Sequence, residues 1–155
     1  MPVNGSVRSL RPEEAAYLAG LIDGEGTSTL SRLHKGSGRS IVVTISNTDR
    51  TLLQFVLDTV GSGCITSKRI YHPAHTPSFA YKIANRQALD LLAQVACYLK
   101  TYRAKRASLA LTKYIAVTPR NGKYSSEIHR MKAEFEREFL AMGPGPRNGK
   151  RCSND

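Results

Sequence analysis

The chain has 155 residues, of which 41% are hydrophobic, and its 23 Lys and Arg against 12 Asp and Glu give a formal net charge of +11. This composition suffices for one domain with a buried core and excludes global disorder. The charge indicates a polyanionic partner, either nucleic acid or an anionic membrane surface. No apolar run approaches the roughly 20 residues that span a bilayer, and the N-terminus lacks a secretion signal.

The cysteines are three isolated thiols without Cys-x-x-Cys spacing. They indicate neither a zinc site nor a disulfide framework, so we expect an intracellular, reducing compartment, such as a prokaryotic cytoplasm or an organelle matrix, and not secretion. Residues 1–11 are expected to form a flexible N-terminus and residues 143–155 a mobile tail, on either side of a single domain over residues 12–142.

The domain is predicted to alternate helices with pairs of strands. Proline and two acids begin the first helix at Pro12, and apolar periodicities of 3.6 and 2 identify the later elements. The predicted order is helix 12–24, strands 27–33 and 39–46, a helix from Asp49 to Val60, strands 64–71 and 79–84, a helix from Asn85, and helices 101–117 and 125–142.

Two copies of a helix-hairpin unit therefore precede the C-terminal helices. This order predicts an α+β fold with an αββαββα core and a four-stranded antiparallel sheet. Helices would cover one face of the sheet and leave the other face open.

Both predicted hairpins lie in segments that contain no Asp or Glu, between Gly26 and Thr48 and between Thr59 and Leu89. A twisted antiparallel sheet can lie in the major groove of DNA, where alternate Ser, Thr, Lys and Arg side chains read base edges. A solvated basic face without a partner is the alternative. The cationic residues of the hairpins are Arg32, Lys35, Arg39, Lys68, Arg69 and Lys82, accompanied by His34, His72 and His75.

A second cationic cluster begins the fourth predicted helix and comprises Lys100, Arg103, Lys105 and Arg106. Phosphates explain such a cluster better than solvent does. Two roles remain open, because these side chains could clamp DNA phosphates or stabilise charge at a scissile phosphate.

The segment Leu18–Gly26 combines an apolar helix, a glycine in its middle and two carboxylates at its end. Asp23 and Glu25 are two residues apart and so do not share a helix face. Asp23 would hydrogen-bond backbone groups across a helix contact, whereas Glu25 would project outward and bind a hard cation such as Mg²⁺.

The chain holds one such segment, so a contact between two of these helices needs two chains related by a two-fold axis. Two metal ions between the paired Glu25 side chains would then serve in-line phosphoryl displacement. The alternative is a packed helix whose terminal acids are solvated.

Leu18–Gly26 resembles the signature of the LAGLIDADG homing endonucleases and departs from it only at Gly24 and Glu25. The resemblance extends through the helix-hairpin repeat to about Val117. It implies a homodimer whose saddle-shaped sheets straddle a long, near-palindromic DNA site. It also implies Mg²⁺-dependent cleavage of both strands across the minor groove, leaving short 3′ overhangs. We expect Mn²⁺ to replace Mg²⁺, and Ca²⁺ to bind without supporting cleavage.

The resemblance also assigns residue roles. Glu25 resembles the essential metal ligand, with the Gly24 carbonyl beside it, and Asn47 resembles a polar residue that holds catalytic water. Arg103 stands where the family has a catalytic Lys, with Lys100 and Lys105 as alternatives. The residues that resemble those of the helix contact at the dimer interface are Ala16, Ala19, Gly20 and Asp23.

A larger set is expected to contact DNA. Strand alternation would point Arg32 into the core, so we expect a bulge near Ser31 that turns Arg32 and His34 outward. The expected DNA-contacting residues are Thr29, Ser31, Arg32, His34, Lys35, Arg39, Ser40, Thr44, Arg50, Thr66, Lys68, Arg69, Lys82, Lys105 and Arg106.

The leading hypothesis is thus an intron-encoded, homodimeric, site-specific endonuclease acting on double-stranded DNA. A binding module of the same fold is the alternative, either a maturase that assists splicing of intron RNA or a repressor that does not cleave. A membrane partner is disfavoured, because the basic residues lie on predicted strands and loops instead of on one amphipathic helix face.

Overall fold

The computed structural model describes residues 5–35 and 38–145. Its helices and strands follow the predicted αββαββα order, which confirms the α+β fold. A short 3-10 helix, Ala96–Tyr98, precedes the last two helices. The elements are α1 Pro12–Glu25, β1 Gly26–Arg32, β2 Arg39–Asn47, α2 Arg50–Val60, β3 Cys64–Ser67, β4 Phe79–Ala84, α3 Asn85–Val95, α4 Tyr102–Val117 and α5 Ser126–Ala141.

The four strands form one antiparallel sheet in the order β1-β2-β4-β3. Side chains alternate between its two faces, and Ile41, Val43 and Ile45 of β2 are fully buried on the covered face, as predicted. The opposite face, called the open face below, includes Thr27, Thr44 and Lys82, which lie side by side across three strands.

All five helices contact strands of the sheet. Their buried apolar side chains merge with the covered face into one core that includes residues from every helix. Tyr81 lies at its centre, and its hydroxyl donates to the Ser62 carbonyl at 2.7 Å. Burial of the ring raises the pKa of Tyr81, so the hydroxyl stays a donor. Within the described residues, no helix has the length and hydropathy needed to cross a membrane.

The predicted bulge in β1 is absent, so that prediction was wrong. The β1–β2 register runs without interruption to Arg32 opposite Arg39. Arg32 keeps the parity of the covered face, yet it is exposed because the sheet ends there, and it lines a cavity together with His129 and Glu136 of α5. No core has to accommodate its charge, and no bulge is required.

Strand β3 is also shorter than predicted, because it ends at Ser67 and residues 68–78 form a loop. Residues 5–11 have no regular secondary structure, and their predicted flexibility stays a prediction. The Arg8 amide donates to the Val60 carbonyl, and the Gln94 side chain bonds both Arg8 and Leu10. The predicted C-terminal tail lies outside the described residues from position 146 onward.

Candidate active site

Helix α1, which contains the Leu18–Gly26 segment, changes directly into an extended strand at Gly26. A Cβ atom at this position would lie 2.7 Å from the Ile22 Cα and 2.9 Å from the Ile22 carbonyl oxygen. Any side chain here would collide with the backbone of Ile22, and moving that backbone costs stability. The chain therefore passes directly from α1 into β1, and the exposed residues Gly24 and Glu25 lie at the edge of the sheet.

Glu25 is held at this edge by Asn47, the last residue of β2. The Asn47 side-chain amide donates to Glu25 Oε2 at 2.6 Å, and Asn47 Oδ1 accepts from the Asp49 amide at 2.7 Å. Asp49 in turn caps α2 by accepting from the Thr51 amide. The structure thus brings together the predicted metal ligand and the predicted water-holding residue, and Glu25 Oε1 makes no hydrogen bond with the described residues.

Asp23 and Arg103 join the end of α1 to the start of α4 in both directions. The Asp23 carboxylate accepts from the Lys100 amide at 2.7 Å and from the Thr101 hydroxyl at 2.5 Å. Arg103 Nε donates to the Gly26 carbonyl at 2.8 Å, and its Nη1 donates to the Asp23 carbonyl at 3.2 Å. We call Asp23, Thr101 and Arg103 the α1–α4 clamp.

The α1–α4 clamp favours the ionised form of the Asp23 carboxyl group. Burial acts to raise the pKa of Asp23, but the Thr101 hydroxyl, the backbone amides of Lys100 and Thr101, and the Arg103 charge outweigh it and lower the pKa. The Asp23 oxygens bond groups of its own chain, and its place at a dimer interface stays a prediction. The expected interface contact of Ala19 is corrected, since Ala19 is fully buried in the protomer core.

Arginines from other elements bond the carboxyl ends of three helices that have no basic residue in their own last turn. Arg103 bonds the end of α1, Arg86 donates to the Thr118 carbonyl after α4, and Arg106 donates to the Met142 carbonyl after α5. The positive charge of a guanidinium stabilises the negative, carboxyl end of a helix dipole.

This arrangement corrects the assignment of Arg106 to the DNA surface. Its Nη1 also donates to the Ser28 carbonyl, its guanidinium stacks on the Tyr102 and Phe139 rings, and burial lowers its pKa. Arg103 likewise donates to backbone carbonyls, those of Gly26 and Asp23, and so holds the backbone around Glu25 in place. Lys100 is exposed, and its ammonium has no ion pair among the described residues.

The open face and its adjoining loop form a groove to which no described residue contributes a carboxylate. It is lined by Thr27, Thr44, Ser46, Thr66, Ser67, Lys68, Arg69, Tyr71, Ala80 and Lys82. Thr29, Ser31 and Ser40 continue the same face by strand alternation. Of the other predicted contacts, His34, Lys35, Arg50 and Lys105 are exposed outside this groove, whereas Arg32 and Arg39 lie at the sheet end beside α5.

One face of α1 is exposed and built from small residues. Ala16, Gly20 and Gly24 recur every fourth residue, and a Cβ added at Gly20 or Gly24 would meet nothing within 4 Å. Sequence reasoning missed an aromatic pair beside them, in which Tyr17 and Phe55 are about half exposed and meet edge to face at 5.6 Å. The helical periodicity of α2 could have indicated the exposed position of Phe55, because Phe55 falls outside the buried stripe. That stripe comprises Leu53, Val56, Leu57 and Val60.

No protein-family model matches the chain, and none of the curated proteins matches it. Solved structures match its fold. The homing endonuclease I-CvuI, in complex with its target in the presence of calcium, is 16% identical, with a TM-score of 0.71 over 89% of this chain and 87% of the other. The archaeal intron-encoded homing endonuclease I-Vdi141I, complexed with DNA, is 13% identical, with a TM-score of 0.59 over 86% of each chain.

A third match is to a longer chain. The LAGLIDADG homing endonuclease I-GzeII, in complex with a DNA target, is 16% identical, with a TM-score of 0.58 over 95% of this chain but only 55% of the other. At these identities the likeness is one of fold. The chain therefore has the fold of the LAGLIDADG homing endonucleases, as its motif predicted.

Proposed function

We propose that this chain is a homodimeric, site-specific DNA endonuclease that hydrolyses phosphodiester bonds in both strands of a long, near-palindromic site and leaves short 3′ overhangs. One observation carries the proposal: an exposed carboxylate, Glu25, is fixed by Asn47 at the edge of a basic sheet face that has no carboxylates. The solved proteins of the same fold named above are homing endonucleases in complex with DNA.

The open-face groove is the proposed DNA surface. Its hydroxyl-bearing side chains, such as Thr44 and Thr66, suit contacts with base edges, and Lys68, Arg69 and Lys82 suit phosphates. Three ion pairs form among the described residues, and none involves a cation of this groove. Its charge is therefore available to phosphates.

The residues present fit a hard divalent cation, and we propose Mg²⁺, with Mn²⁺ able to replace it. Glu25 would bind it through Oε1, together with the Gly24 carbonyl. Among the described residues no group of three or more His, Cys, Asp or Glu could hold a metal alone. Such a sparse ligand set suits Mg²⁺, which keeps several waters and accepts phosphate oxygens. When bound, the cation would polarise the scissile phosphate and the attacking water.

The remaining groups would position this chemistry. Asn47 holds Glu25 with a neutral donor, which preserves the carboxylate charge. The α1–α4 clamp fixes the backbone on both sides of Glu25, and the exposed ammonium of Lys100 would stabilise charge that develops on the phosphate.

Cleavage of both strands needs two such sites, and the exposed face of α1 is the proposed contact between two chains. The small residues Ala16, Gly20 and Gly24 would let the two helices approach closely across a two-fold axis. The Tyr17–Phe55 pair would extend the contact onto α2.

The decisive experiment compares Glu25→Gln with the wild-type chain. The substrate is the host locus rejoined across the insertion point of this reading frame, since cleavage there would define the target. We expect wild-type cleavage in Mg²⁺ but not in Ca²⁺, and E25Q should bind the same DNA without cutting it. Glu13→Gln, which neutralises an exposed acid at the other end of α1, is the matched control and should cut normally.

Mg²⁺-dependent cutting by E25Q would contradict the proposal. A wild-type chain that binds DNA or intron RNA without cutting would favour the repressor or maturase alternative.

A further inference from the structure

A second basic cavity lies at the end of the sheet, next to the open-face groove. It has a volume of about 950 Å³ and is walled by the ends of β2 and β4, the first turn of α3, the connection between α4 and α5, and Lys132 of α5. We call it the sheet-end cavity. The connection and α5 had no assigned function in the sequence.

Five cationic side chains line the sheet-end cavity, and no carboxylate of the described residues does. The five are Arg39, Lys82, Arg86, Arg120 and Lys132. Arg86 is committed to the Thr118 carbonyl, and the Lys132 ammonium lies 5.2 Å from the centre of the Tyr124 ring. None of the five forms an ion pair with a described residue. Unneutralised cations around one concave surface favour an anionic ligand.

Backbone groups at the same cavity point to the same chemistry. Helix α3 begins after Ala84, which offers no side-chain cap, and Asn85 to Gln87 line the cavity. Asn85 has a φ of 56°, and its side-chain oxygen accepts from the Tyr114 hydroxyl instead of capping its own helix. The positive end of α3 therefore adds to the cationic character of the cavity.

Lys82 connects the two surfaces, because it lines both the sheet-end cavity and the open-face groove. A polyanion lying along the groove would therefore continue into the cavity, whereas a small anion would use only one of them. We infer that the sheet-end cavity holds the sugar–phosphate backbone of DNA flanking the part that lies on the open face. This inference rests on the proposed function and extends its substrate contact to Arg120 and Lys132.

The test measures how DNA binding depends on salt. Wild-type chain and an Arg120→Gln/Lys132→Gln variant are titrated, in Ca²⁺ and at several NaCl concentrations, with a labelled duplex of about 40 base pairs of arbitrary sequence. Each phosphate contact contributes about 0.9 to the slope of log K against log salt. We expect the variant slope to be smaller by about 1 to 2, with affinity near 0.1 M salt weaker by about tenfold for each lost contact.

The matched control is Arg130→Gln/Arg137→Gln, which removes the same charge from exposed positions of α5 that do not line the sheet-end cavity. It should keep the wild-type slope. Arg120→Gln alone serves as a second variant, because exposed Arg120 has no ion pair to lose. Thermal melting of each variant checks that the fold is intact.

A wild-type slope in R120Q/K132Q would overturn the inference and leave the proposed endonuclease intact. Equal losses in the control would overturn it too, because they would reflect net charge alone. A variant that loses affinity for an RNA hairpin but not for the DNA duplex would replace DNA by RNA as the occupant. Failure of the wild-type chain to bind DNA at all would instead remove the proposed function.

Discussion

The side chains of Glu25 and Asn47 meet at 2.6 Å although 22 residues separate them in the chain. The contact joins the end of α1 to the end of β2, and through Asp49 to the start of α2. A neutral amide holds the carboxylate without cancelling its charge, unlike an ion pair with Lys or Arg. Glu25 is therefore oriented and keeps its negative charge, as the proposed metal ligand requires.

Replacement of Asn47 should weaken metal use more than DNA binding. Asn47→Ala removes the donor that orients Glu25, and loss of such a supporting partner typically costs about 10- to 100-fold in metal affinity or activity. We expect the Mg²⁺ concentration for half-maximal cleavage to rise by about that factor, with cleavage recovered at high Mg²⁺. Thr48→Ala, at the exposed neighbouring position, is the control. An unchanged Mg²⁺ requirement in N47A would contradict this role.

Substitution of Gly26 should destabilise the fold itself. The Cβ of Gly26→Ala would lie 2.7 Å from the Ile22 Cα, so backbone has to move. Overpacking of this kind costs about 1–3 kcal/mol, measured as the free energy of unfolding in urea. Thr27→Ala, at the exposed next residue, should stay within about 0.5 kcal/mol of the wild type. A G26A variant as stable as T27A would show that the turn tolerates a side chain.

The fold was predictable because its signals are local. Apolar periodicity identified the five α-helices and the four strands but not the 3-10 helix Ala96–Tyr98. Asp49, predicted to cap α2, accepts from the Thr51 amide. Strand β3 was overestimated because residues 68–71 retain a strand-like composition, although they have left the ladder.

The partners of the charged residues were not predictable in the same way. The cluster from Lys100 to Arg106 was expected to face phosphates. Arg103 and Arg106 instead donate to carbonyls at helix ends that lie 77 and 36 residues away in the sequence. Sequence composition counts charges but does not tell which of them meet a backbone carbonyl. Arg120 and Lys132 were missed for the converse reason, because only the fold brings them to the sheet end.

A bulky residue at Gly20 should weaken dimerisation without harming the protomer. A Cβ atom added at this position meets no atom from the rest of the described residues within 4 Å, so Gly20→Leu is expected to fold normally. Overpacking of the helix contact costs about 1–3 kcal/mol, which raises the dimer dissociation constant by about 5- to 150-fold. Sedimentation equilibrium measures this constant. Ser108→Leu, on an exposed position of α4, is the control, and unchanged association in G20L would exclude this face as the interface.

The α1–α4 clamp predicts a stability difference that depends on pH. The pKa of Asp23 is lowered in the folded state, so its ionised form stabilises the fold fully above the unfolded value of about 3.9. This contribution is lost as pH falls through the lower folded value. Asp23→Asn should therefore cost about 1 kcal/mol at pH 7, because hydrogen bonds to a charged acceptor are stronger than those to a neutral one, and progressively less below about pH 4.

Urea unfolding of D23N and wild-type chains at pH 7 and at about pH 3 measures this difference. Asp58→Asn, an exposed carboxylate on α2 whose hydrogen-bond partner among the described residues is the Gln54 side chain, is the control. It should show a small difference at both pH values, because no helix start depends on it. A D23N deficit that stays the same from pH 7 to pH 3 would mean that the Asp23 charge does not stabilise the clamp. The hydrogen bonds to Lys100 and Thr101 would then contribute through their geometry alone.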